Sequence, residues 1–73
     1  MDKKALARQF QYLDDLRESG ITNMFGAAPY LARACNLKIE RAREVLSVWM
    51  KSDLELPPEE RAAKAIRKMA SHG

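Results

Sequence analysis

The sequence predicts an all-α fold, a compact three-helix bundle followed by a fourth helix at the C-terminal end. Three observations lead there. Apolar residues recur at steps of three and four along most of the 73 residues, the spacing that lines one face of a helix. No stretch alternates apolar and polar residues as a half-buried strand would, and Val, Ile and Thr are few and scattered. Residues that stop helices (Ser19-Gly20, Asn36 and the pair Pro57-Pro58) punctuate the chain at intervals that suit short helices.

The first helix is expected over about residues 3–18, where Leu6, Phe10, Leu13 and Leu16 form one stripe. Gly20 can take the left-handed cap that ends it, and Ile21 is expected to pack back onto the last turn. Thr22 and Asn23 can each cap a following turn, so Asn23 to Gly26 reads as a tight turn or a single helical turn. A short second helix starts near Ala27 to Pro29, since a first turn tolerates proline, and ends near Cys35. Leu31, Ala34 and Cys35, with Tyr30 a further candidate, are expected to face inward. Asn36 is a good left-handed stop.

The third helix, about residues 38–52, carries the broadest apolar face: Ile39, Ala42, Val45, Leu46, Trp49 and Met50. Trp49 is expected to be the largest core residue, its indole N–H reaching a carbonyl near the rim. The run Leu54 to Pro58 is a stiff linker, because each proline fixes its own φ and restricts its predecessor. A fourth helix starts at Pro57 or Pro58, with Glu59 and Glu60 well placed for its dipole, and runs to about Ala70. Its apolar face (Ala62, Ile66, Met69) is thin, so it reads as a loosely docked appendage. The division expected is a core domain over residues 1–53 and a basic C-terminal helix over 54–73.

Composition narrows the function. One cysteine, Cys35, allows no internal disulfide, and His72 alone makes no metal cluster. No cofactor is expected. A single thiol, with no apolar run after the charged first residues, fits a reducing cytoplasm, and no apolar stretch approaches the roughly 20 residues that span a membrane. The net charge of +3 permits a nucleic-acid partner without demanding one. Catalysis is not expected: there is no Ser-His-Asp set, no Cys-His pair and no glycine-rich phosphate loop. Asp14 and Asp15 are adjacent on a helix and point about 100° apart.

Tyr30 to Leu46, "YLARACNLKIERAREVL", resembles a helix-turn-helix. Ala32 is the small residue where two backbones approach, Asn36 stands where the motif usually has glycine, Leu37 is the apolar plug, and Ala42 and Val45 face the core. The resemblance implies duplex DNA as partner and residues Lys38 to Ser47 as the recognition helix. Lys38, Glu40, Arg43, Glu44 and Ser47 would then enter a major groove, Arg33 and Arg41 would hold phosphates, and Arg61, Lys64 and Lys68 of the fourth helix would add backbone contacts. A homodimer would follow, because one small module makes few contacts. Glu40 and Glu44 oppose the phosphates, though a carboxylate can read a cytosine amino group. Lys38-Ile39 stands where a capping Ser or Thr is usual.

A second resemblance covers more of the chain. "SGITNMFGAAPYLARACNLKIERAREVLSVWM" is similar to ubiquitin-associated-type three-helix domains, with Gly20-Ile21 as the loop and Asn36, Glu40, Ala42 and Leu46 following the third-helix pattern. The second segment is longer here and contains Pro29. This resemblance implies a protein-interaction module with an apolar loop. Met24 and Phe25 would suit such a patch, Met being adaptable and Phe supplying contact area. Equally, Phe25 could fold over the first helix against Leu16 and Trp49. The stretch from Asn23 also resembles small bacteriophage-encoded proteins of no known activity, so a host or phage protein is the alternative partner.

Overall fold

A computed structural model describes residues 2–23, 26–53 and 55–71, with the backbone alone for 69–71. The fold is all-α. Four helices follow one another: α1 (Lys3–Ser19), α2 (Ala28–Cys35), α3 (Ile39–Met50) and α4 (Pro58–Ser71). Met24, Phe25 and His72, singled out from the sequence, lie outside the described residues, as does the side chain of Met69.

Local chemistry sets each helix boundary. Asp2 caps α1, its carboxylate accepting from the Lys4 N–H at 3.1 Å, which satisfies one of the otherwise orphaned first-turn donors. Gly20 closes α1 in the left-handed region at φ 69°. Beyond it, Ile21 does not pack back. It is 66% exposed, and only its backbone N–H returns, to Ser19 Oγ at 3.4 Å. Asn36 ends α2 at φ 54°, ψ 50°. The Leu37 N–H then reaches the Ala32 carbonyl at 2.8 Å, the six-to-one bond of a Schellman ending. A connection of three residues, 36–38, leads into α3. As the sequence suggested, α3 has no side-chain cap at Lys38. Pro58 opens α4 with Glu59 and Glu60 in its first turn, where carboxylates meet the positive end of the dipole.

The α1 stripe packs as expected: Leu6, Phe10, Leu13 and Leu16 are all buried. Leu31 of α2 and Ala42, Val45, Leu46 and Trp49 of α3 close over it, with Ala27 and Ala28 sealing one end. Full burial of such side chains removes on the order of 1.5–3 kcal/mol of apolar exposure each, the main favourable term available to a chain this short. Three apolar residues expected inside are exposed instead: Tyr30, Ala34 and Met50. Each lies at the margin of its helix's apolar stripe, where the tertiary neighbours, not the period, decide burial.

The fourth helix departs most from the sequence reading. It is no loose appendage: α4 packs along α1 more extensively than any other pair of helices pack together. Ala62 is fully buried, and Ala65 and Ile66 pack against the core. The thin apolar face works because small residues let two helix backbones approach closely.

Candidate nucleic-acid interface and the buried ion pair

The candidate face belongs to α3. At 100° per residue, Ala42, Val45, Leu46 and Trp49 share one side, and Glu40, Arg43, Glu44 and Ser47 share the other. The structure agrees, with the first four buried and the second four exposed. Lys38, just before the helix, is exposed too. Arg41 lies on the flank, half-buried, and its Nη1 donates to Glu44 Oε2 at 3.3 Å. One of the two carboxylates on this face is therefore balanced by its own helix. Arg33, in the last turn of α2, is exposed.

The fourth helix divides. Lys64 and Lys68 line a cleft with Lys51, at the α3 end, and with Asp53 on its rim. The sequence-predicted contacts on α4 thus meet Lys51, the residue that closes α3, which was not among the contacts expected from the sequence. Arg61, by contrast, is withdrawn from the surface. It is 2% exposed. Its Nε donates to the Leu56 carbonyl at 2.9 Å and its Nη1 to Asp14 Oδ1 at 3.0 Å, while Nη2 donates to Asp14 Oδ2. This is the fork-to-fork geometry that suits guanidinium and carboxylate. The guanidinium carbon also stands 5.8 Å from the centre of the Phe10 ring, within cation–π range. A phosphate cannot reach a group buried and already engaged at all three of its nitrogens, so Arg61 leaves the set of proposed DNA contacts.

Asp14 has a second partner, which supplies its third hydrogen bond. The Trp49 indole N–H donates to Asp14 Oδ1 at 2.9 Å, not to a rim carbonyl. One half-buried carboxylate thus joins α1, α3 and α4. Sequence reasoning separated Asp14 from Asp15 correctly, since Asp15 is exposed and accepts only from Gln11 on its own helix at 3.0 Å. Asp14 stands four residues after Phe10, at the edge of the apolar stripe; nothing local pointed to a residue 47 positions away.

The chain matches no known protein family, and no curated protein or solved structure is detectably similar to it. Its function is therefore read from its own surface. No described helix is long and apolar enough to cross a membrane. Among the described residues no cluster of His, Cys, Asp or Glu is placed to hold a metal ion. Cys35 is half-buried, and burial pushes its thiol pKa up while the nearby Arg8 charge opposes the shift. It is a packing residue, held in the thiol form.

A second surface lies beside the first. Between the start of α2 and the length of α3 runs an apolar groove of about 450 Å³, floored by Leu46 and edged by Pro29, Ile39 and Met50. Arg43 and Ser47 stand on its outer lip.

Proposed function

We propose that this domain binds duplex DNA in the manner of a helix-turn-helix, with the outer face of α3 against the major groove and α4 reaching the phosphate backbone. The observation that supports the reading is the uncovered side of α3. Lys38, Arg43 and Ser47 stand in solvent on a helix whose opposite side is anchored by Val45 and Trp49. Such anchoring keeps a reading helix rigid while leaving its outer side chains available. Arg43 suits the guanine edge and Ser47 is tolerant of either base type. Among the described residues Glu40 is the one carboxylate of the face with no ion-pair partner, and it would favour a cytosine amino group. Arg33, Lys51, Lys64 and Lys68 are the backbone contacts. One module of this size covers few base pairs, so two copies would meet half-sites one helical turn, roughly 34 Å, apart.

Fluorescence anisotropy with a labelled duplex tests this. Four phosphate contacts predict an affinity that falls about a hundredfold between about 50 and 200 mM salt, from a slope near −0.9 per contact. Lys64→Glu should weaken all sequences alike and flatten the slope by at least about 1. Arg43→Glu, on an exposed position that the core does not need, should abolish retention. Duplex retained unchanged by the Arg43→Glu protein would end this reading.

A further inference from the structure

We infer that the groove between α2 and α3 receives an apolar peptide segment of a partner protein, oriented by a carboxylate that pairs with Arg43. The groove holds about 450 Å³, inside the range of roughly 300–1,000 Å³ that accommodates small ligands, and enough for two or three aliphatic side chains. Its floor, Leu46, is 7% exposed, while Met50 on the rim is 40% exposed. An unbranched thioether at the rim can adapt its shape to what enters.

Charge selects the occupant. Arg43 is the single charged group among the described residues that line the groove. Arg41, the other arginine of α3, is matched on its own helix by Glu44, and Arg33 of α2 does not line the groove. Among the described residues no carboxylate pairs with Arg43. Ser47 lies four residues on, directly beside it on the helix face, so one incoming carboxylate could accept from both. Next to apolar walls that ion pair is screened less than on an open surface. Nucleic acid fits the groove poorly, because no described lining residue supplies an aromatic ring on which a base could stack. An amphipathic segment with aliphatic anchors at helical spacing and one acidic residue is the complement. Because Arg43 and Ser47 also belong to the outer face of α3, a peptide in the groove and a duplex on that face would compete for the same two side chains.

The test is a titration of the isotopically labelled full chain, read by amide chemical shifts. The probes are two blocked synthetic peptides, acetyl-Glu-Leu-Leu-Glu-Leu-amide and its counterpart with Lys in place of Glu. The acidic peptide should give saturable shifts at Ile39, Leu46 and Met50, and the basic one should bind at least about tenfold more weakly. Arg43→Glu should reverse that preference. Met50→Asp should remove binding of both peptides while the far-ultraviolet circular dichroism stays unchanged, as expected at an exposed site. The inference is overturned if the acidic peptide gives no saturable shift at these amides, if both peptides bind alike, or if Arg43→Glu leaves the preference as it was. A duplex that fails to bind while the peptide shifts persist removes the DNA reading alone.

Discussion

Replacing Asp14 by asparagine takes the counter-charge from a guanidinium that has nowhere else to go. Arg61 is 2% exposed, and two of its three hydrogen bonds end on Asp14. An asparagine keeps the shape but turns one acceptor into a donor, so Arg61 loses one of its two bonds in either amide orientation, and in one of them the Trp49 indole loses its acceptor too. Leaving one half of a buried pair unmatched costs about 3–5 kcal/mol. A chain of 73 residues has roughly 4–11 kcal/mol in all, at about 0.05–0.15 kcal/mol per residue. The Asp14→Asn protein should therefore lose about a quarter or more of its stability and melt on the order of 12–40 °C lower. Urea unfolding followed by far-ultraviolet circular dichroism measures this. The companion is the double variant Asp14→Leu with Arg61→Met. A buried ion pair replaced by apolar groups of similar volume is often neutral or stabilising, so the double variant should recover most of what Asp14→Asn loses. A loss under about 1 kcal/mol for Asp14→Asn, the value of a solvent-exposed pair, would refute the claim that this contact is a buried one. So would a double variant no better than the worst single.

Other substitutions follow from the same structure. Asn36→Gly should leave the melting temperature unchanged or raise it, and Asn36→Ala should lower stability by about 1 kcal/mol, because φ 54° is strained for a residue with a Cβ and no local hydrogen bond to offer. Gly20→Ala should cost about 1–2 kcal/mol through backbone strain alone, since a Cβ there would meet nothing within 4 Å; thermal melts check both. Leu31→Ala removes a fully buried side chain from the only long apolar residue that α2 contributes, and urea unfolding should show a loss of about 2–5 kcal/mol. The raised thiol pKa of Cys35 implies slower alkylation by iodoacetamide in the native chain than in urea at neutral pH. Because the folded value lies above the unfolded one, the thiol's contribution to stability is complete below the ordinary thiol range and fades as the pH rises through it.

Much of this fold was legible because the relevant physics is local. Gly20, Asn36 and Pro58 each end or start a helix through their own backbone preferences, and all three boundaries fall where the sequence puts them. The α1 stripe was equally readable, since Leu6, Phe10, Leu13 and Leu16 leave no other face to bury. What the sequence hid is decided by distant parts of the chain. Ile21, Tyr30 and Met50 are apolar enough for a core and exposed because no neighbouring element covers them. Ala62 looked too small to anchor a helix, yet a small side chain is what lets α4 lie close to α1. Arg61 looked like surface because arginine is rarely buried unless paired, and its partner stands on another helix. For the candidate site, the exposure of Lys38, Glu40, Arg43, Glu44 and Ser47 followed from angular arithmetic on one helix. The convergence of Lys51 with Lys64 and Lys68 needed the packing of two.

The Asp14 contact also sets an order of events in time. While the chain emerges from the ribosome, the first three helices can be complete and still lack the cation that neutralises their inner carboxylate, because Arg61 is made 47 residues after Asp14. Closing so long a loop is slow compared with helix growth. The nascent protein must therefore wait for α4 before the carboxylate that holds its tryptophan is neutralised, and indole emission from stalled chains of increasing length would register that moment.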